Sequence, residues 1–273
     1  MYKLITSDLD ETLLRADGSI SADNVAAIKA ATKMGVKFVP NTGRNFLTVQ
    51  PLLEQLGLKQ RVNEYVISYN GGAVVENAGN QVIISNALTY DEARKVFATF
   101  LEFPNTSVHV YTIDQLYIYR LRDDDRRYMQ TRGGVTFTEM TTSNFEQFSD
   151  QPIMKVIAMN PAEEVRHQMY AAIERNLQGT VNITYSSGIY VEVNHGGVDK
   201  GKAVLDLASR LGIKADEIMA LGDNSNDLAM LKAAGLAVSV ANGIPEVKAV
   251  ADYVTTADYE NGVAEAIHKF VLD

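Results

Sequence analysis

The two ends of the chain share one pattern, in which short apolar runs alternate with segments of helical periodicity. At the amino end the apolar runs are residues 2–7, 36–39 and 65–69, and the stretches between them repeat apolar side chains every three or four positions. The alternation returns near the carboxyl end, with apolar runs at 218–221 and 236–240. Alternating strands and helices form parallel sheets, because a helix carries the chain back to the start of the next strand. Both ends of the chain therefore predict one α/β domain with a parallel sheet.

The middle of the chain has a different pattern. It contains two pairs of apolar runs, each separated by a short polar turn, and helical segments accompany them. Such pairs are typical of β-hairpins, and hairpins beside helices are typical of an antiparallel α+β unit. The sequence therefore predicts a core domain made of residues 1–85 and 189–273, with an inserted α+β domain over residues 86–188.

Two local features of the inserted segment give further predictions. Asn160, followed by Pro161, is predicted to cap a helix that has the proline at its first position. Arg120–Arg127, with three consecutive aspartates at its centre, is predicted to be a solvent-exposed helix face.

Composition excludes several function classes. The chain has 273 residues and no cysteine, which rules out disulfides, thiolate zinc sites and a cysteine nucleophile. Its 34 acidic and 25 basic residues give a net charge of −9, which repels the phosphates of nucleic acids and anionic lipids. No signal-peptide pattern precedes Asp8, and no apolar run reaches the roughly 18 residues of a membrane span. We therefore expect a soluble cytoplasmic protein that binds neither nucleic acid nor a membrane.

Two acidic clusters stand directly after predicted strands. Asp8 and Asp10 follow the first strand, and Asp223 and Asp227 follow a strand more than 200 residues later. Ligands of parallel sheets bind beyond the carboxyl ends of the strands, and a few carboxylates beside a phosphate are typical of Mg²⁺. The acids could instead only cap the elements that follow them. Both clusters together point to a metal site more specifically than either one alone.

Two alternative motifs are incomplete. A calcium loop that begins at Asp223 would need a glycine at its sixth position and an acid at its twelfth, where the chain has Leu228 and Ala234. Residues 196–202 match the P-loop pattern G-x-x-x-x-G-K. The next residue is Ala203, which lacks the hydroxyl that binds magnesium, and Asp199 places a negative charge in the would-be phosphate cradle.

A phosphate group requires hydrogen-bond donors and cations in addition to a metal. Thr42, in the loop after the second predicted strand, offers a hydroxyl and a backbone N–H. Lys200 precedes a predicted helix and could neutralise phosphoryl oxygens, although a surface position is the commoner role of a lysine.

Four segments of the chain resemble the motifs of haloacid dehalogenase (HAD) superfamily phosphatases, namely residues 8–12, 42–44, 200–201 and 222–227. The resemblance extends over the whole chain and is greatest to the Cof-type members of subclass IIB, which have a C2B cap inserted between the second and third motifs. It implies a Rossmann-like parallel-sheet core with an inserted α+β cap. Glu11 stands where the family usually has glycine, and Gly243 where it usually has alanine.

The resemblance also implies a reaction. The protein would be a Mg²⁺-dependent phosphatase that hydrolyses small phosphorylated metabolites, foremost sugar phosphates, through an aspartyl-phosphate intermediate. Asp8 would be the nucleophile, and Asp10 the general acid and then the general base. Asp8, the backbone carbonyl of Asp10 and Asp223 would bind Mg²⁺. Asp227 would lie in or next to the outer shell of the metal.

Further residues receive roles from the same resemblance. Those that would bind the phosphoryl group are Thr42, Gly43, Lys200 and Asn226. Those that could contact the rest of the substrate are Arg44 and Asn70, and in the cap Arg132, Tyr185 and Tyr190.

Three other functions agree with part of the pattern. A phosphomutase of the same superfamily would use the same site and transfer the phosphoryl group to a sugar. A P-loop nucleotide-binding protein would use Lys202, and a non-catalytic binding protein would share only the scaffold.

Overall fold

A computed structural model describes residues 1–131 and 136–273 of the chain. The described chain divides into two compact units. The core unit consists of Met1–Ser85 and Asp199–Asp273, and the inserted unit consists of Asn86–Val198.

The strands, in chain order, are β1 (Leu4–Ser7), β2 (Lys37–Pro40), β3 (Tyr65–Ser68), β4 (Ala73–Glu76), β5 (Gln81–Ser85), β6 (Ser107–Thr112), β7 (Leu116–Tyr119), β8 (Thr138–Met140), β9 (Ile153–Met159), β10 (Val181–Ser186), β11 (Tyr190–His195), β12 (Ile218–Gly222), β13 (Leu236–Ser239) and β14 (Tyr253–Val254). The α-helices are α1 (Ala22–Lys33), α2 (Gln50–Leu56), α3 (Tyr90–Leu101), α4 (Asp123–Thr131), α5 (Glu163–Leu177), α6 (Lys200–Leu211), α7 (Leu228–Ala233), α8 (Pro245–Val250) and α9 (Gly262–Ile267).

The core unit is built on a parallel sheet with the strand order β14-β13-β12-β1-β2. At its edge β3 meets β2 through a parallel bridge between Asn41 and Ile67, and then pairs with the antiparallel hairpin β4–β5. This confirms the predicted mixed α/β architecture with a parallel sheet. Because β1 lies between β2 and β12, the loops that follow these three strands are neighbours at one edge of the sheet.

Burial explains why these segments are strands of a covered sheet. Every residue of β1 and of β12 is buried, as expected for parallel strands with helices on their faces. Leu4 and Ile218 pack in one apolar cluster with Val204 and Leu207 of α6 and Met230 of α7. Helix α6 is thereby held against the sheet with its first residues at the edge where the strands end.

Local sequence signals begin and end several core helices as predicted. The hydroxyl of Ser21 accepts a hydrogen bond from the backbone N–H of Asn24 at the start of α1. Gly57 and Gly212 have φ values of 73° and 68° directly after α2 and α6. This left-handed conformation ends the helices at glycine, which has no Cβ to oppose it.

The inserted unit contains, among its described residues, a sheet with the strand order β10-β11-β9-β6-β7-β8. Its neighbours are antiparallel except β7 and β8, and the two predicted hairpins are β6–β7 and β10–β11. Phe97 and Phe100 of α3 and Ile173 of α5 share an apolar cluster with Val156 and Val191 of the sheet. The unit is therefore a mostly antiparallel sheet with helices packed on it, as the mixed pattern of its sequence predicts.

The second boundary between the units lies later than the sequence predicts. The predicted division after residue 188 falls inside the β10–β11 hairpin, and the structure divides the chain after Val198 instead. The reason is that β11 pairs with β9 as well as with β10. The hairpin is visible in the sequence, but its pairing with a strand about thirty residues earlier is not.

The predicted cap at Asn160 is wrong by two residues. Helix α5 begins after Ala162, which makes no side-chain cap, and Pro161 lies outside the helix. The side-chain oxygen of Asn160 accepts a hydrogen bond from the N–H of Ala162 at 3.0 Å, and its amide donates to the hydroxyl of Thr106 at 3.1 Å. Asn160 thus forms a turn before the helix, because its side chain also has to bind a neighbouring segment.

The predicted solvent-exposed face at Arg120–Arg127 is wrong for one aspartate. Asp125 on α4 is fully buried and accepts hydrogen bonds from Nε2 of His109 and the hydroxyl of Tyr190, both at 2.7 Å. Burial alone would raise the pKa of Asp125, but His109 and Tyr190 bring it below its ordinary value. Consecutive helical residues point about 100° apart, so one of three aspartates can face the sheet while Asp123 faces solvent.

We predict that Asp125→Ala lowers the free energy of unfolding of the protein by about 3 kcal/mol, because it leaves buried His109 and Tyr190 without their shared acceptor. Asp123→Ala, on the exposed side of the same helix, should change it by less than about 0.5 kcal/mol. Urea unfolding of the full chain followed by circular dichroism measures both values. Equal effects of the two substitutions would show that the buried carboxylate contributes nothing specific.

Candidate active site

The candidate site lies where β1, β2 and β12 end and α6 begins. The N–H of Asp8 donates to the carbonyl of Leu221 at 3.0 Å, and the N–H of Asn41 donates to the carbonyl of Ser7 at 2.8 Å. These bonds continue the sheet by one residue on either side of β1. The predicted residues Asp8, Thr42 and Asp223 consequently follow three adjacent strands.

The loop after β1 turns sharply at Glu11. This residue has a φ of 62°, in the left-handed region that favours glycine, and its carbonyl accepts a hydrogen bond from the side chain of Asn242 at 2.7 Å. The two carboxylates that precede the turn have different environments, since Asp8 is buried and Asp10 is half-buried. Asp8 points to Lys200, and Asp10 points to Arg44.

Lys200 is the central cation of the site. Its side chain is 0% exposed, and its Nζ donates to Oδ1 of Asp8 at 2.5 Å and to Oδ1 of Asp227 at 2.7 Å. Burial disfavours the ammonium form, but the charges of Asp227 and Asp8 outweigh it, so the pKa of Lys200 lies above its ordinary value. Burial raises the pKa of Asp8, and the ammonium of Lys200 opposes that rise. The pKa of Asp8 still lies well above its ordinary value, so the ammonium of Lys200 offsets the effect of burial only in part.

The second acidic cluster is organised by Asp227. One of its oxygens binds Lys200, and the other accepts the backbone N–H groups of Asp223 at 2.9 Å and Asn224 at 3.1 Å. Asp227 thus caps the short 3₁₀ turn at residues 225–227 and also pairs with a buried cation. A Cβ at Gly222 would lie 2.5 Å from the Cβ of Asp227, which explains the glycine.

Asp223 carries a carboxyl group that is difficult to ionise in the metal-free protein. Burial is the largest cause, and the charge of Asp227 adds to it, while a hydrogen bond from the hydroxyl of Thr12 opposes it. Together these effects raise the pKa of Asp223 to about 6. A cation close to Asp223 would stabilise its ionised form.

The acids together can hold a divalent cation. Oxygens of Asp8, Asp223 and Asp227 lie within 4.8 Å of one another, and all three residues are buried. Lys200 contacts only two of the three carboxyl groups, so a metal ion would neutralise the negative charge that remains when all three are ionised. Carboxylate oxygens are the ligands that hard cations prefer.

The loop after β2 differs from its prediction in one respect. The backbone N–H of Thr42, predicted as a phosphate donor, donates instead to the carbonyl of Ile67 at 2.9 Å. The hydroxyl oxygen of Thr42 accepts the N–H of Arg44 at 3.1 Å. Since β3 lies beside this loop, Thr42 can offer a phosphate its hydroxyl hydrogen and not its N–H.

The core residues that were predicted to contact the substrate form hydrogen bonds with other side chains of the protein. The guanidinium of Arg44 binds both carboxylate oxygens of Asp10, with Nε 2.9 Å from Oδ2. The side chain of Asn226 donates to Oδ1 of Asn70 at 3.4 Å. Both pairs join residues of different loops at the same edge of the sheet.

The predicted residues of the inserted unit have other environments. The hydroxyl of Tyr190 binds buried Asp125, and Tyr185 is half-exposed and stacks on Tyr170 with ring centroids 5.3 Å apart. Arg132 lies outside the described residues.

The P-loop alternative has structural evidence against it. Lys202 is exposed, and its ammonium pairs with Asp206 at 2.6 Å. The carboxylate of Asp199 accepts the N–H of Lys202 at 2.7 Å and so occupies the helix end where a nucleotide phosphate would bind.

Two residues that organise the site are absent from the sequence-based prediction. Thr12 binds Asp223, and the side-chain amide of Asn41 donates to the carbonyl of Lys200 at 3.0 Å. Thr12 is visible as part of the 8–12 motif. Asn41 has no local signal, because its partner is 159 residues away.

Comparison with known proteins identifies the family. The family model of haloacid dehalogenase-like hydrolases matches residues 5–267. The chain belongs to this family. It is therefore a hydrolase.

Relatives and solved structures of the family support phosphatase activity. A Bacillus subtilis protein provisionally named phosphatase YxeH is 33% identical over 100% of this chain and 99% of its own length. The 5-amino-6-(5-phospho-D-ribitylamino)uracil phosphatase YcsE of the same species is 29% identical over 99% of this chain and 96% of its own. A HAD subclass IIB sugar phosphatase, 24% identical, has the same fold, with a TM-score of 0.84 over 99% of this chain and 100% of its own.

These findings confirm three predictions from the sequence. The chain belongs to the HAD family, it is a phosphatase, and it has the subclass IIB fold. In the described part of the chain, no helix is long and apolar enough to cross a membrane.

We predict that Asp223→Asn raises the free energy of unfolding of the metal-free HAD phosphatase by about 1–3 kcal/mol above pH 6. The carboxyl pKa of Asp223 is about 6 when folded and near 3.8 when unfolded, so ionisation costs stability as the pH rises through this range. The gain should therefore shrink as the pH falls towards 4. Urea unfolding in a chelating buffer at pH 4, 5, 6 and 7 measures it.

The matched control for this prediction is Asp150→Asn, on an exposed residue of the inserted unit. It should leave the free energy of unfolding within about 0.5 kcal/mol at every pH. A loss of stability in Asp223→Asn at pH 7 would contradict the proposed cost of its ionisation.

Proposed function

We propose that this protein is a Mg²⁺-dependent phosphatase of small phosphorylated metabolites that works through an aspartyl-phosphate on Asp8. The contact of buried Lys200 with Asp8 and Asp227 carries this proposal. It places the carboxyl group of Asp8 against a cation, at the end of the central strand and among the three acids that could hold a metal ion. Such a carboxylate can approach an anionic phosphate that it would otherwise repel.

The reaction divides into two displacements. An oxygen of Asp8 forms a bond to phosphorus while the ester P–O bond breaks, and Asp10 donates a proton to the leaving alkoxide. Water then attacks the phosphorus of the aspartyl-phosphate, and Asp10 accepts its proton. Inorganic phosphate leaves and the Asp8 carboxylate is restored, so no other reactant is needed.

Mg²⁺ suits the donor set, which consists of oxygen atoms only. The side chains of Asp8 and Asp223 and the carbonyl of Asp10 would hold it. Its charge would offset the negative charge that develops on the phosphoryl oxygens. Asp227 acts by holding Lys200 and the Asp223 loop, since N–H groups and the ammonium already bind its two oxygens.

The remaining residues bind the phosphoryl group or the general acid. Lys200 and the hydroxyl of Thr42 contact phosphoryl oxygens, and Gly43 and Asn226 form the adjacent loops. Arg44 binds both oxygens of the Asp10 carboxylate, so this ion pair has to open before Asp10 can carry a proton and donate it to the leaving group.

The names of the relatives support a proposal for the substrate class. One relative acts on a phosphorylated ribitylamino compound, and the same fold occurs in a sugar phosphatase. We infer that sugar phosphates and related polyol phosphates are the substrates.

We predict that Asp8→Asn lowers Mg²⁺-dependent phosphate release by more than about 10³-fold, because an amide is not a nucleophile. A panel of sugar, polyol and nucleotide phosphates, assayed for inorganic phosphate with Mg²⁺ and with a chelator, measures it. Lys202→Ala is the matched control and should keep nearly full activity, since the exposed ammonium of Lys202 pairs with Asp206 on its own helix. Undiminished turnover by Asp8→Asn, or turnover in the chelator, would contradict the proposal.

A further inference from the structure

We propose that Asn70 is a positioning residue, which sets the spacing between Thr42 and Lys200 through a left-handed backbone turn at residues 69–71. The inference rests on the proposed function, because it concerns the groups that bind phosphoryl oxygens. It differs from the sequence-based prediction, in which the side chain of Asn70 reaches the substrate.

The turn at residues 69–71 has an uncommon backbone. Tyr69, Asn70 and Gly71 have φ values of 57°, 55° and 101°. Left-handed residues normally occur singly, and a bulky residue such as Tyr69 is rarely among them. Tyr69 is also fully buried. Such a conformation persists where the surroundings impose it, and it is found most often at functional sites.

One side of the turn holds the loop that carries Thr42. The N–H of Asn70 donates to the carbonyl of Thr42 at 3.0 Å, and the N–H of Tyr69 donates to the carbonyl of Arg44 at 3.3 Å. These bonds lie on both sides of Gly43. A Cβ on Gly43 would be 3.1 Å from Oδ1 of Asn70, so the asparagine side chain packs directly against that glycine.

The other side of the turn packs on the start of α6. A Cβ on Gly71 would lie 2.3 Å from the carbonyl oxygen of Asp199, the residue immediately before Lys200. The two backbones are therefore in direct contact, and the φ of Gly71 also requires glycine. The side chain of Asn226 reaches Oδ1 of Asn70 from the loop after β12.

One short turn thus touches three loops of the site. It fixes the carbonyl of Thr42, the residue before Lys200, and the side chain of Asn226. Asparagine is suited to this place because its short polar side chain tolerates the left-handed conformation and can hydrogen-bond locally. A change of backbone at residue 70 would move the hydroxyl of Thr42 relative to the ammonium of Lys200.

Comparing Asn70→Gly with Asn70→Ala tests the proposal. Glycine keeps the left-handed turn without the side chain, whereas alanine disfavours the turn and also lacks the side chain. The dissociation constant of inorganic phosphate, measured by calorimetry with Mg²⁺, should rise by about threefold in Asn70→Gly and by about thirtyfold or more in Asn70→Ala. For a phosphomonoester, we expect KM to rise and kcat to fall in both variants, and both changes to be larger in Asn70→Ala than in Asn70→Gly.

Asn63 provides the matched control. It also has a left-handed φ, of 59°, but it is exposed in the loop before β3. Asn63→Ala meets the same backbone cost, so it should lower stability towards urea without changing phosphate affinity.

Three results would overturn the proposal. Equal losses of phosphate affinity in Asn70→Gly and Asn70→Ala would mean that the side chain binds the ligand directly. Unchanged affinity in Asn70→Ala, or no phosphate binding by the unsubstituted protein, would also refute it. If Asn70→Ala does not fold, a large loss in Asn70→Gly refutes it and near-normal affinity supports it. Phosphate binding without any phosphomonoester turnover would contradict the proposed function alone.

Discussion

The ammonium group of Lys200 lies without exposed surface between the carboxylates of Asp8 and Asp227. Burying a charge is costly unless opposite charges and hydrogen bonds compensate it. That requirement brings together the end of β1, the start of α6 and the turn before α7, which are distant in sequence. It also places a cation beside Asp8, where the ammonium partly offsets the effect of burial and so favours the ionised form that the proposed mechanism requires.

In the second acidic cluster, the ionised carboxylate that would bind a metal lowers the stability of the metal-free protein. Asp223 ionises only near pH 6 in the metal-free protein, because it is buried beside Asp227. The site thus holds negative charge at a cost that a bound cation would remove. The hydroxyl of Thr12 and the N–H groups that bind Asp227 hold these carboxylates in place.

Much of the fold follows from patterns within single segments. The strands β1 and β12 are recognisable as short apolar runs, and Ser21, Gly57 and Gly212 mark helix ends by local chemistry. The predictions that are wrong concern contacts between segments. Asp125 is buried because His109 and Tyr190 need an acceptor, and β11 belongs to the inserted unit because it pairs with β9.

The sequence by itself determined which residues meet in the candidate site. Asp8, Thr42 and Asp223 each follow a predicted strand of one parallel sheet, and parallel strands end at one edge, so the sequence places all three at that edge. Only the tertiary structure decided which hydrogen-bond donors and acceptors of each residue already have partners within the protein and which can still bind a ligand. The N–H of Thr42 binds Ile67, Arg44 binds Asp10, and the turn at residues 69–71 packs on the start of α6. Those partners come from other segments of the chain. A hydrogen bond or close contact between distant segments produces no periodicity or residue spacing in the sequence, so it cannot be predicted from local patterns.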